Sequence, residues 1–149
     1  MKALVQRVTS ARVEVAGEIC GSIGLGVLVY LGCEMGDQEE HARKLAARVA
    51  KLRLFADAAG KTNLALAEVH GAVLLVSQFT LAADTQAGNR PSFGTALPPD
   101  LARLLVDRFA RCLEEAGLPV QTGRFGAEMA VSSLNQGPAT YLLEEPRRT

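Results

Sequence analysis

The sequence predicts an α+β fold: a curled, barrel-like, mostly antiparallel sheet beside two main helices. Short alternating or apolar runs bounded by turn residues outnumber all other patterns, and only two segments repeat apolar residues at helical spacing. At 149 residues the chain is of one-domain size. Residues 1–149 are therefore read as a single domain, with 144–149 as a flexible, charged tail.

Residues 3–8, 12–16 and 18–23 alternate loosely between apolar and polar and read as an opening meander, with Ala16-Gly17-Glu18 as a turn signal. Gly24-Leu25-Gly26 interrupts it. Val27-Leu28-Val29-Tyr30-Leu31 is a continuous apolar run of strand length, which predicts a central strand covered on both faces. Asp37 with Glu40 resembles a capping box, and Ala42, Leu45, Ala46, Val49 and Leu52 follow at spacings of three and four, so a helix is predicted over 38–53. Residues 64–69, the His70-Gly71 turn and residues 72–79 form a hairpin pattern, whose second arm holds the buried run Val73-Leu74-Leu75-Val76. Residues 82–99 are rich in small and turn-forming types and read as a binding or lid loop. Pro98-Pro99-Asp100 opens a second helix, in which Leu101, Leu104, Leu105, Phe109, Cys112 and Leu113 share a face and Gly117-Leu118-Pro119 supplies the stop. Residues 120–122, 127–134 and 139–143 are predicted as three closing strands.

Composition narrows the function. Sixteen basic and sixteen acidic side chains cancel, so a field suited to gripping long nucleic acid is missing and any RNA contact is expected to be local. The cluster Arg43, Lys44, Arg48, Lys51 and Arg53 reads either as such a contact or as a solvated helix face. No run is long enough to span a bilayer, and Arg7 comes too early for a secretory core, so a cytoplasmic protein without membrane association is expected. Cys20, Cys33 and Cys112 are odd in number and widely spaced, which suits reduced packing residues better than disulfides or zinc ligands.

Hydrolytic chemistry needs an activated group, and the chain offers few. His70 stands seven residues before Ser77, about 23 Å along an extended strand, and His41 lies on the polar side of the first helix. A Ser–His pair within one chain is therefore not expected. The carboxylate pairs Glu39-Glu40, Glu114-Glu115 and Glu144-Glu145 read as solvated charge. No metal-ligand cluster, dinucleotide fingerprint or phosphate loop stands in the sequence, so neither metal nor cofactor is expected.

Two strings remain: Ser77-Gln78-Phe79-Thr80-Leu81 at the end of an apolar run, and Asn135-Gln136-Gly137-Pro138-Ala139-Thr140 near the C-terminus. By themselves they read as a polar strand end and a structural turn, with a site as the alternative. Together they resemble the two signature motifs of the D-aminoacyl-tRNA deacylases of bacteria and eukaryotes. Gln6-Arg7-Val8, Arg90-Pro91-Ser92-Phe93 and Thr122-Gly123-Arg124-Phe125 fall in the family's order, and Ala139, where Val or Phe is commoner, is a small departure.

The resemblance implies a cofactor-free hydrolase that cleaves the ester between a D-amino acid and the terminal adenosine of tRNA. It also implies removal of glycine mischarged on tRNA-Ala and sparing of L-aminoacyl esters. It places Ser77, Gln78, Phe79 and Thr80 in the catalytic pocket, with backbone amides near Phe79 and Thr80 stabilising an oxyanion and the ribose 2′-hydroxyl assisting. It implies a homodimer that binds the aminoacyl-tRNA acceptor end, in which a cis Gly137–Pro138 unit enters the partner's site and excludes L side chains. It counts Ala139 and Thr140 among the substrate-binding residues with Gly137, Pro138, Arg7 and Phe125. Arg7 would hold the Gly137–Pro138 loop, or be a plain strand-end cation; Phe125 would stack on the base, or be plain core. Two rivals stand beside this: an esterase using Thr80 or Ser77 as nucleophile, and a non-catalytic module that binds an RNA end or nucleotide.

Overall fold

The computed structural model describes residues 1–146. In chain order the strands are β1 (Lys2–Val8), β2 (Ser10–Val15), β3 (Glu18–Ile23), β4 (Gly26–Gly32), β5 (Phe55–Ala56), β6 (Thr62–Leu64), β7 (Ala72–Ser77), β8 (Val120–Thr122), β9 (Ala130–Leu134) and β10 (Thr140–Glu144). The helices α1 (Glu39–Lys51) and α2 (Pro99–Glu115) follow β4 and a 3₁₀ turn at Phe79–Ala82 respectively. A five-stranded sheet has the order β10-β1-β4-β7-β8 and a three-stranded sheet the order β3-β2-β9. The larger sheet is not closed into a barrel. Pairing is antiparallel throughout except at β4–β7 and β7–β8, which are parallel.

The two apolar runs sit at the centre because they are covered on both faces. In β4 and β7, Val27, Val29, Leu31, Val73 and Leu75 turn toward Leu45, Val49, Phe109 and Leu113 of the helices. Leu28, Leu74 and Val76 turn the other way, toward Val13 and Ile23 of the smaller sheet. Period-two alternation thus divides one apolar string between two cores. Phe109 is the largest fully buried side chain; its burial alone contributes about 1.5–3 kcal/mol.

Several expectations are corrected. Residues 64–79 are not a hairpin: β6 pairs with β5, and β7 lies parallel to β4. Parallel neighbours need a long crossover, here the whole segment through α1. The opening meander also divides, since β1 pairs with β4 and β10 while β2 pairs with β3 and β9. The cap of α1 is Gln38, whose N–H donates to His41 Nδ1 at 3.0 Å. Asp37 is engaged elsewhere, accepting from the Met1 ammonium and the Glu34 N–H, each at 2.7 Å. On α2 the buried stripe is Ala102, Leu105, Phe109 and Leu113, which leaves Leu101 and Leu104 more than half exposed. Glu144 and Glu145 are not a loose tail: Arg48 donates to the Glu144 carbonyl and pairs with the Glu145 carboxylate, and Glu145 N–H donates to the Met1 carbonyl. The rest of the expected tail, beyond Pro146, lies outside the described residues. No helix among the described residues is long and apolar enough to cross a membrane.

Candidate functional site

Strand β7 ends at Ser77, opposite Leu31 of β4, and Gln78 continues the ladder by donating its N–H to the Leu31 carbonyl at 2.8 Å. The chain then winds into the 3₁₀ turn, closed by Leu81 N–H to the Gln78 carbonyl at 3.2 Å and Ala83 N–H to the Thr80 carbonyl at 3.1 Å. Gly32 makes the turn possible. A Cβ there would stand 2.7 Å from Leu81 Cβ and 3.0 Å from the Gln78 carbonyl oxygen. Lys2 Nζ fastens the far side, donating to the Leu81 carbonyl at 3.2 Å while paired with Glu34 at 2.9 Å. Phe79 and Thr80 open the turn, so their N–H groups have no acceptor inside it. The Thr80 hydroxyl accepts a hydrogen bond from the Gln78 side-chain amide.

Beside this turn lies a cavity of about 570 Å³ walled by Ser77, Gln78, Phe79, Phe93, Ala102 and Phe125, among others. Thr80, exposed, stands outside the wall. The Phe79 and Phe93 rings meet at 5.0 Å in a tilted pair at its edge. Phe93 comes from the loop expected to act as a lid, which is tied down: Met35 N–H donates to Thr95, Leu97 N–H to Cys33, and Asp84 and Ser92 exchange backbone bonds. Cys33 is also in the wall, and burial, aided by the charge of Asp37, pushes its thiol up to about 12. It stays protonated at neutral pH and is no nucleophile. Arg103 lies over the Phe125 ring, 4.6 Å from its centroid.

The second string forms a loop between β9 and β10. Asn135 Oδ1 accepts from the Ala139 N–H at 2.9 Å, and its amide nitrogen donates to Thr140 Oγ1 at 3.0 Å. Arg7 grips the loop from β1: its backbone N–H donates to the Ala139 carbonyl at 3.1 Å, Nη2 to the Gln136 carbonyl at 3.2 Å and Nη1 to the Leu54 carbonyl at 2.8 Å. Gly137 has φ +137°, a backbone conformation that L side chains rarely adopt, and a Cβ there would fall 2.7 Å from Arg7 Nη2. The Gly137–Pro138 peptide bond is cis. Gln136, Gly137 and Pro138 are exposed, and Ala139 is buried.

The structure does not bring the two strings together in one chain. Arg7 is opposite Val27 on one side of β4, and Ser77 is opposite Leu31 on the other. That separates them by about 13 Å along the strands and about 10 Å across them. The histidines take no part in either region, His41 capping α1 and His70 standing in the turn before β7. Among the described residues no three His, Cys, Asp or Glu side chains group as metal ligands. Sequence reasoning passed over Gly32, Lys2, Phe93 and Arg103. Phe93 had a signal in the Arg90-Pro91-Ser92-Phe93 string; Gly32 and Lys2 act through close approaches that carry none.

Residues 4–144 match the family described as D-Tyr-tRNA(Tyr) deacylase. The chain is 52% identical over 149 residues to the D-aminoacyl-tRNA deacylase of Geobacter metallireducens, covering 100% of this chain and 99% of the relative. It is 53% identical over 148 residues to that of Paracoccus denitrificans, covering 99% of each. The solved structure of a protein described as "c-Myc DNA Unwinding Element Binding Protein" superposes with a TM-score of 0.92 at 37% identity, covering 99% of this chain and 100% of that one. A second, described as a probable eukaryotic D-amino acid tRNA deacylase, superposes with a TM-score of 0.80 over 95% of this chain and 97% of its own; at 17% identity it shows the fold alone.

Proposed function

The chain belongs to the D-Tyr-tRNA(Tyr) deacylase family, and from that premise we propose that it hydrolyses the ester of D-aminoacyl-tRNA, and of glycyl-tRNA-Ala, with the chiral filter supplied by a second copy of itself. The observation that carries this is the placement of the two motifs at opposite ends of the sheet. The cavity beside Ser77 and Gln78 has no Gly137–Pro138 unit of its own chain near it, while that unit is exposed and gripped by Arg7. A two-fold pair of chains supplies each cavity with the other's loop.

In the filled site the aminoacyl-adenosine end of the tRNA occupies the cavity, with the adenine against Phe125 and the ester carbonyl at the mouth of the 3₁₀ turn. Water adds to the carbonyl carbon, and the oxyanion takes hydrogen bonds from the Phe79 and Thr80 N–H groups. The ribose 2′-hydroxyl beside the ester assists proton movement. Collapse releases the free D-amino acid and the tRNA 3′-oxygen, which leaves protonated. The partner's loop excludes a side chain in the L position, and glycine, having none, passes.

A covalent Thr80 ester is disfavoured by its surroundings. The Gln78 amide donates to the Thr80 hydroxyl and cannot take its proton, and no histidine is near. Incubation with D-Tyr-tRNA and L-Tyr-tRNA tests the activity: release of D-tyrosine alone is expected, and release of neither removes the enzyme reading. The Thr80→Val variant is expected to keep near-normal turnover, and sedimentation to show a dimer. A strictly monomeric, fully selective protein would sink the shared site.

A further inference from the structure

The cavity wall carries no charged side chain, yet an RNA end that enters it brings a phosphodiester on the 5′ side of its last nucleotide. That charge has to be met at the rim. Arg103 stands there, next to Ala102 and three residues before Val106, both in the wall, with its guanidinium on the face of Phe125 at 4.6 Å. It is exposed, and among the described residues no carboxylate lies within ion-pair distance of it, although Asp100 and Asp107 share its helix. Other cations are committed elsewhere, Arg108 to Glu39 and Glu115, Lys44 to Glu40 and Arg48 to Glu145. Arg124, exposed and next to Phe125 in sequence, also lacks an ion pair among the described residues, but Arg103 is the one stacked on the Phe125 ring. A guanidinium stacked on a ring keeps its in-plane N–H groups free, and their fork matches phosphate oxygens.

We propose that Arg103 is the binding residue for the phosphodiester 5′ to the terminal nucleotide, held by Phe125 with its N–H edge turned toward the incoming chain. This rests on the deacylase reading of the same cavity. The guanidinium covers part of the ring and the core packs against another part, so the base is left the portion of Phe125 that lines the cavity. Base and phosphate are then registered against one another by a single aromatic side chain.

The test compares wild type, Arg103→Ala and Arg103→Lys on D-tyrosyl-adenosine, which lacks the phosphate, and on the D-tyrosyl ester of a CCA trinucleotide, which has it. Arg103→Ala is expected to raise KM for the trinucleotide about tenfold more than KM for the adenosine ester, the cost of one charge-assisted contact, with kcat unchanged on both. Arg103→Lys should fall between, since it keeps the charge and loses the fork. Binding of uncharged CCA against adenosine gives a readout independent of turnover: wild type should prefer CCA and Arg103→Ala should not. Equal losses on both ligands, or no loss on either, would overturn the assignment. Wild-type turnover of neither ester, with the binding preference intact, would instead remove the deacylase reading and leave the phosphate contact standing.

Discussion

The two ends of the five-stranded sheet are built on opposite plans. At the Ser77 end a strand runs into a tight turn beside a cavity, and the turn is held by close packing on Gly32 and by the charged pair Lys2–Glu34. At the Arg7 end an exposed loop is held by backbone and Asn135 bonds and by a guanidinium that donates only to neutral carbonyls, those of Gln136 and Leu54. One end has a cavity of about 570 Å³; the other has a mounted loop beside a smaller cavity of about 300 Å³. On the proposed reading neither acts alone, and a second copy supplies each with the other. Chemistry and selectivity are then carried by separate regions and can be damaged separately.

The largest effect should come from the substrate and bear on chemistry alone. A D-aminoacyl-tRNA ending in 2′-deoxyadenosine is expected to turn over about 10²–10⁴-fold more slowly, the usual contribution of a positioned proton-transfer group. Its binding should change little. Single-turnover rates on the two tRNAs decide it, and equal rates would move the missing acid–base group back to the protein.

Next in size is Gly32→Ala. The added methyl meets Leu81 Cβ at 2.7 Å and the Gln78 carbonyl at 3.0 Å, so the 3₁₀ turn has to shift. Overpacking of this kind costs about 1–3 kcal/mol, and a displacement near 1 Å at reacting groups lowers turnover about 10²-fold. The D-to-L preference, mounted at the other end, should survive. Denaturant titration and paired D and L kinetics separate the two.

Arg7→Ala does the reverse at a smaller scale. It removes the side-chain bonds to Gln136 and Leu54 but leaves the backbone bond to Ala139 and the Asn135 clasp. Discrimination against L-Tyr-tRNA should drop about tenfold, one charged hydrogen bond's worth, while D-Tyr-tRNA turnover holds. A fall in both together would show that the loop serves catalysis as well.

How far the sequence reached follows the same division between local and distant. The central strands, both helices and the β2–β3 turn were legible because apolar period and turn chemistry are local signals. The supposed hairpin over 64–79 failed because a doubly buried strand carries no mark of its partner or direction, and β5 and β6, at two and three residues, are too short to leave a pattern. The Asp37 cap failed because its carboxylate is drawn to the Met1 ammonium, distant in sequence. Both site strings were visible as strings. Their placement at opposite ends was not, since it depends on the register of β1 and β7 against β4.

The smallest effect concerns pH and divides the two ends again. Burial alone would raise the Glu34 carboxyl, but the hydrogen bond and charge of Lys2, with the Met1 ammonium, outweigh it and lower it below its ordinary 4.5. A carboxyl lowered in the folded state stabilises it above the unfolded value, and that stabilisation is lost as pH falls through the folded one. As pH falls below the ordinary 4.5 and through the lowered folded value, Glu34 protonates and releases Lys2, and with it the bond from Lys2 Nζ to the Leu81 carbonyl weakens. The Arg7 contacts hold no carboxylate and should not respond. Amide exchange, corrected for its intrinsic pH dependence, should therefore show Leu81 and Ala83 losing protection on acidification before Ala139 does. Simultaneous loss at both ends would mean global unfolding, and the charged fastening of the cavity end would then have no separate role.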